Sequence, residues 1–449
     1  MSSTPVGRPS YAAVLRIPHV RRTFGAALLG RLSYGIVPLS VMLAVNRACG
    51  SYTVAGTVMA LFGATSVFLS PARAALIDRH GPHRTLVPMV TAYAALLGLL
   101  TLLVRRPGAV SPLVLGAVTA AAGACTPPLG PTMRAVWGRL APDRALLQRA
   151  YSLDGVAEEL LFVSGPLLVG ILTRFAPPTA GIVLGTFLIV AGTTGFTTSP
   201  AVGATRPTEA GTEQQGGRWD GGARGWLRGL VRGAGSARLS ALRRVRAGRG
   251  VLWGILQPVV AAGGVGLTLG VVDLVVVAFA EQRHHGDGAA AWALAALSAG
   301  SAVGGLVNGA VRWRVPAPVR LPLAAAGLGV ALLGAGFAPG LGTLAVELAA
   351  AGFFVSPALT TAYLIADDAA APEARVRAGA WVNTGVNAGS TAGAAVAGPL
   401  VGAMPTALCF AAAGTAALLT ALATVRRSRA RSTLRAVPER NGAESVPAA

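Results

Sequence analysis

The sequence predicts an all-α membrane protein, with twelve transmembrane helices in two pseudo-symmetric six-helix bundles. Three observations carry that expectation. Apolar residues make up 53% of the 449, another 59 are glycine, and only 12% are charged, about half the roughly 25% of a soluble domain. So few polar groups cannot cover the surface of a water-soluble protein of this size. Apolar stretches near or above the roughly 20 residues that span a bilayer recur along the whole chain. Finally, 38 basic residues against 17 acidic ones leave a formal charge of +21, and those basic residues fall on alternate connections.

Taken in order, the first six apolar stretches cover 22–45, 53–76, 85–104, 110–140, 149–173 and 178–199. The second six cover 252–281, 288–311, 321–338, 341–366, 378–402 and 404–424. This divides the chain into a tail (1–21), a first bundle (22–199), a polar Gly- and Arg-rich loop (200–251), a second bundle (252–424) and a C-terminal tail (425–449). The first stretch is too long for a signal-peptide core and runs straight into a second, so it is expected to be retained. With the N-terminus in the cytoplasm, the tails and inner connections hold 31 arginines and the outer loops hold five. The remaining two, Arg31 and Arg134, fall inside helices. The positive-inside rule then puts both termini and the central loop in the cytoplasm and predicts a multi-pass protein of the cell (inner or plasma) membrane.

All 38 basic residues are arginine. Without lysine there is neither a GxxxxGK[ST] phosphate loop nor a Schiff base, which argues against an ATP-driven pump. Cys49, Cys125 and Cys409 are far apart and odd in number, and read as small buried hydrophobes rather than a disulfide or metal framework. No nucleophile, paired base or metal cluster is assembled, so the expectation is no enzyme, no bound metal and no cofactor beyond a proton gradient. The stretch 226–246 reads as a basic interfacial helix on anionic lipid, not a nucleic-acid surface, and 200–221 as a linker. His284 and His285, near Glu281 and Asp287, read as a solvated loop. The glycine-rich 263–270 reads as helix packing rather than a dinucleotide fingerprint, because no strand precedes it.

The halves repeat. PDRALLQRAYSLDGVAEELLFVSGPLLVG near 142–170 and PEARVRAGAWVNTGVNAGSTAGAAVAGPLVG near 372–402 share a Pro-acidic start, a following arginine and a Gly-Pro-Leu step. Parallel six-helix repeats point to a transporter with its site between the bundles near the membrane midplane. Between helices 2 and 3, ALIDRHGPHR resembles the GxxxD[RK]xG[RK][RK] loop of the major facilitator superfamily. Asp78, Arg79, Gly81 and Arg84 match that pattern, Ala74 stands for its first glycine, and His83 for a basic residue. The resemblance implies that this loop locks one conformation. Gly81 permits the turn, while Asp78 and the arginines cap helix ends and pair across the bundles. Gly165, Pro166 and Gly170 resemble part of the helix 5 signature of proton-linked antiporters in the superfamily, although Leu161 replaces an upstream glycine. The overall flavour is that of an efflux permease.

Intramembrane charges are costly and point to function. Arg31 (helix 1), Arg134 (helix 4), and Asp154, Glu158 and Glu159 (helix 5) lie within spans. Arg31 and Glu158 sit roughly 14–15 Å deep, and Arg134 and Asp154 roughly 8–9 Å. Two stacked pairs are expected, Arg31–Glu158 and Arg134–Asp154, with one carboxylate in surplus. Glu158 or Glu159 is then the proton carrier, unless all five merely brace the bundle. In the repeat, Asn387 and Thr391 stand where Asp154 and Glu158 stand. Tyr34, Trp137, Gln257, Asp273, Tyr363 and Asn387 are candidates for the substrate cavity. Asp273 would either attract a cation or snorkel to the outer interface, and Glu347 is a weaker candidate of the same kind. Asp367 and Asp368 are expected in a cytoplasmic loop. The expected function is proton-coupled export of a small drug-like or metabolite solute by a monomer in contact with membrane lipids. Proton-linked nutrient uptake and a non-transporting membrane sensor or scaffold are the alternatives.

Overall fold

A computed structural model describes residues 10–105, 110–203, 255–283 and 289–435, and every regular element in them is helical. A short α1 (Tyr11–Arg16) leads into α2 (Val20–Cys49), the first crossing. The second crossing is two helices end to end, α3 (Tyr52–Phe68) and α4 (Ser70–His80), and the third is α5 (Pro82–Leu103). The fourth is again in two pieces, α6 (Pro112–Cys125) and α7 (Leu129–Leu140). Helices α8 (Arg144–Leu172) and α9 (Thr179–Thr197) complete the first bundle, followed by the single turn α10 (Pro200–Gly203). The second bundle comprises α11 (Ile255–Gln282), α12 (Ala289–Ala310), α13 (Ala317–Ala335), α14 (Leu341–Ala369), α15 (Arg375–Ala403) and α16 (Thr406–Arg435). Among the described residues, eleven of these crossings are long and apolar enough to span a membrane. The twelfth, α15, has 29 residues, enough length to cross, but carries Asn383, Thr384, Asn387, Ser390 and Thr391.

One expectation is corrected: Asp367 and Asp368 lie in the last turn of α14 rather than in a loop. The last span, Thr406–Val425, matches the expected 404–424, and its helix runs on to Arg435. The expected interfacial helix at 226–246, the linker beyond Gly203, and His284, His285 and Asp287 lie outside the described residues.

The breaks in the second and fourth crossings follow from proline chemistry. Pro127 and Pro128 have no N–H, so the carbonyls of Gly123 and Ala124 lose their α-helical donors. Arg73 of α4 replaces them, its Nη1 donating to both oxygens at 2.7 and 2.9 Å, and its Nη2 donates to the Ser66 carbonyl. Pro71 likewise frees the Val67 carbonyl, which accepts from Thr384 Oγ1 of the second bundle at 3.1 Å. Arg73 is therefore a third arginine inside a span, buried and spent on backbone.

Close helix contacts use small residues, as expected where lipid supplies no hydrophobic drive between helices. Gly263, Gly266 and Gly270 of α11 face Gly385, Gly389, Ser390 and Gly393 of α15 backbone to backbone, so the glycine-rich run at 263–270 is packing. A Cβ on Gly389 would overlap the Gly263 carbonyl oxygen. Gly389→Ala is therefore expected to cost about 1–3 kcal/mol through overpacking, read as a lower thermal midpoint of the detergent-solubilised protein. Gly340→Ala, which meets open space, is the control.

The two bundles meet at the end that carries Arg79, Arg84, Arg139, Arg144, Arg312 and Arg375, the arginine-rich end. There the Asp78 carboxylate caps the start of α15, accepting from Val376 N at 3.2 Å and Arg377 N at 2.9 Å. Arg375 pairs with Asp367 at 3.4 Å and donates to the Gly138 carbonyl at 2.8 Å, and Arg144 pairs with Asp368 at 2.5 Å. Gln148 Nε2 donates to the Asn308 carbonyl at 2.5 Å. Even α1 takes part, for Tyr11 donates to the Leu306 carbonyl of α12 at 2.6 Å. Burial pushes its phenol up to about 12, so it stays a donor through the physiological pH range.

Candidate functional site

Helix α8 brings its acids inward because Asp154 and Glu158, one turn apart, share a face, and that face meets Arg31 of α2 and Arg134 of α7. The result is a closed ring rather than the two stacked pairs expected. Arg31 reaches Asp154 at 2.7 Å and Glu158 at 3.0 Å. Arg134 reaches Asp154 at 3.0 Å and also pairs with Glu158. Each guanidinium bridges both acids because its planar fork offers several donors at once. Asp154 is fully buried and both arginines nearly so, while the Glu158 side chain keeps 28% of its surface and forms part of a cavity wall. Arg134 also stands 3.9 Å from the ring centroid of Tyr363 on α14, a cation–π contact that joins the ring to the second bundle.

The ring balances two cations with two carboxylates, so the surplus acid is Glu159. Turned about 100° from Glu158, it leaves the arginines and accepts from Ser301 Oγ of α12 at 2.8 Å. Among the described residues it has no ion pair. Beyond this layer, toward the end away from the arginines, no side-chain hydrogen bond or ion pair among the described residues joins the two bundles.

A cavity of about 210 Å³ lies between the bundles at this level. Arg134, Glu158 and Glu159 charge its first-bundle wall, and Asn383, Asn387 and Thr360 supply uncharged polar groups from the second. Phe162, Leu269, Val355 and Leu359 complete an apolar part. It suits a small solute with one apolar side and a few hydrogen-bonding groups.

Of the expected cavity residues, Tyr363 and Asn387 line it. Tyr34 instead serves the α6–α7 break, donating to the Pro127 carbonyl and accepting from Leu129 N at 3.3 Å. Trp137 is fully buried, edge-on to Phe24 at 5.4 Å. Gln257 Nε2 donates to the Thr424 carbonyl of α16 at 3.1 Å. Asp273 is exposed one helical turn beyond Leu269, outside the cavity lining, and Glu347 lies against Gly334 of α13. Asp78 and Arg79 lie in the last turns of α4 rather than in a loop. Asp78 bonds across the bundles, and Gly81 just after the helix adopts φ +85°, a conformation L side chains rarely take. Arg79 and Arg84 are exposed and form no ion pair among the described residues. Gly165 packs directly on Gly35 of α2, whereas Gly170 faces open space and Pro166 is exposed within α8. Ser301 and Asn383 carry no signal in the sequence, being two of many polar residues in apolar runs. Arg73 did carry one, lying within the apolar stretch 53–76 and two residues after a proline.

Among the described residues, twelve crossings in two bundles around a charged central cavity define a secondary transporter. The sequence profile of the Major Facilitator Superfamily matches residues 23–339, and the chain belongs to that superfamily. It is an integral multi-pass membrane protein that carries a small-molecule substrate, and not an enzyme. Three solved structures share the fold. The human organic anion transporter MFSD10 superposes with TM-score 0.62 at 15% identity, covering 91% of this chain and 99% of that one. A bacterial homologue of the iron transporter ferroportin, outward-facing, gives 0.64 at 14%, covering 91% and 98%. The fucose:proton symporter of E. coli gives 0.57 at 14%, covering 90% and 99%. No curated protein matches the sequence.

Proposed function

We propose that this chain is a monomeric proton-coupled exporter of a small, partly apolar solute, working by alternating access, with Glu159 as the proton carrier. The observation that carries this reading is the position of Glu159. It is the one helix-embedded acid of the five-charge cluster without an arginine, it lines the central cavity, and its hydrogen-bond partner Ser301 belongs to the other bundle. When the bundles rock apart that bond breaks, so the environment of the carboxyl changes with the transport step, which is what coupling requires. The Arg31–Arg134–Asp154–Glu158 ring is internally balanced and serves as the pivot around it. The 31-to-5 arginine asymmetry supports an arginine-rich end in the cytoplasm, in the cell membrane, with both termini on that side. The contacts at that end then describe a state closed to the cytoplasm.

Proteoliposomes carrying a pH gradient and a panel of small amphipathic solutes test the reading. Glu159→Gln is expected to abolish proton-driven accumulation while solute exchange without a gradient continues. Gradient-driven transport that survives in Glu159→Gln would overturn the assignment. Solute movement into the vesicle lumen from the arginine-rich side reads out export, and movement in the reverse sense reads out uptake.

A further inference from the structure

At the arginine-rich end, the connection between α12 and α13 carries Arg312, Trp313 and Arg314, and Arg320 follows in the first turn of α13. With Arg144 and Gln148 of α8 they line an open groove of about 810 Å³. The groove adjoins an apolar crevice of about 220 Å³ between α12, α13 and α14, and Val311, Trp313 and Arg320 line both. Val307, Leu323, Phe353, Phe354 and Pro357 wall the crevice. Leu323 is 62% and Val307 42% exposed, so it opens sideways onto the surface that faces lipid.

Arg320 is the unusual member. It is 7% exposed, its Nη1 donates to Gln148 Oε1 at 2.9 Å, and its guanidinium stands 5.2 Å from the Trp313 ring centroid. Its Nε has no hydrogen-bond partner, and it forms no ion pair among the described residues. The acids of the groove are engaged elsewhere. Asp143 caps α8 by accepting from Leu146 N at 2.7 Å, and Asp368 is held by Arg144. Arg312 and Arg314 are exposed without ion pairs. A buried cation with a free donor and no counter-charge is costly to hold, and an external anion supplies what is missing.

We propose that this composite site binds one anionic phospholipid, its phosphate against Arg320, Arg312 and Arg314 and an acyl chain in the crevice. Basic pockets between transmembrane helices are suited to such headgroups, and Trp313 is of the type that settles at the membrane interface. The apolar crevice favours a lipid over a soluble phosphate. Gln148 bonds both Arg320 of α13 and the Asn308 carbonyl of α12, so the site is complete only while the two bundles meet here. The bound lipid therefore stabilises the conformation closed at the arginine-rich end.

Native mass spectrometry and thermal unfolding of the purified full chain test this, with palmitoyl-oleoyl phosphatidylglycerol, palmitoyl-oleoyl phosphatidylcholine and glycerol 3-phosphate as probes. Phosphatidylglycerol is expected to stay bound and raise the thermal midpoint, and the other two are not. Arg320→Gln is expected to weaken phosphatidylglycerol retention about tenfold through the loss of a charged hydrogen bond. Ala324→Phe, which fills the crevice and leaves the arginines, weakens it as well. If Arg320→Gln does not fold, the exposed pair Arg312→Gln/Arg314→Gln carries the same comparison. Equal retention of phosphatidylcholine overturns the proposal, as does undiminished retention in the arginine variants. Glycerol 3-phosphate matching the lipid, with Ala324→Phe silent, would make this a soluble-anion site and overturn it too.

Discussion

Asp154→Ala is expected to destabilise the protein by about 3–5 kcal/mol, the range for breaking a buried ion pair by removing one partner. The measurement is the thermal midpoint and the yield of monodisperse protein after detergent extraction. Asp154 is fully buried and faces both Arg31 and Arg134, so its removal leaves two buried guanidinium groups to share Glu158. Arg31→Ala produces the mirror imbalance, two carboxylates on one arginine. Combining the two changes restores a one-to-one pair of Arg134 and Glu158. The double variant should therefore lose less than the sum of the singles, by about 0.5–3 kcal/mol. Strict additivity would show that the four side chains do not act as an electrostatic unit.

The second large effect is expected at the arginine-rich end of the molecule. Asp78→Ala removes two charge-assisted hydrogen bonds from the first turn of α15, each worth about 1.5–3 kcal/mol. Because about 1.4 kcal/mol is a tenfold change in an equilibrium, the ratio of closed to open protein at the arginine-rich end should fall at least about tenfold. Spin labels on cysteines replacing His83 and Glu373, both exposed at that end and on different bundles, read this directly as a longer distance population. The native cysteines are removed first. Transport should fall in parallel, since the cycle needs the closed form. An unchanged distance distribution would remove Asp78 from the closing contacts and leave them to Arg375 on the Gly138 carbonyl, Arg144–Asp368 and Gln148 on the Asn308 carbonyl.

How legible these features were in the chain depends on whether their cause is local. Helix positions were legible because a bilayer demands about 20 apolar residues in a row, a constraint that acts on contiguous sequence. Helix α15 was legible to the repeat with α8 even though its asparagines and threonines dilute its hydropathy. The five-charge cluster was legible because an ionisable residue in a span stands out against its neighbours. The pairing within it was not. Depth along each helix suggested two separate pairs, whereas the fork of each arginine and the crossing of α2, α7 and α8 allow all four contacts at once. Tyr34, Trp137 and Gln257 resemble cavity residues in sequence, because an aromatic or amide in a span has the same appearance whether it faces a solute or a neighbouring helix. Their hydrogen bonds and burial place them in the second role.

The arginine asymmetry, the twelve crossings, the Asp78 turn with its glycine and the presence of three acids in α8 were determined by the sequence alone. Each of these depends on composition, periodicity or a short contiguous motif. Tertiary structure decided which acid stands apart from the arginines. It gave Arg73 to the carbonyls that two prolines left without their helical donors, and it brought Ser301 to Glu159 and Arg320 to Gln148 across more than a hundred residues. Those outcomes depend on how helices rotate and cross. No local stretch of chain encodes that, since it is set by the joint packing of small-residue faces from distant segments.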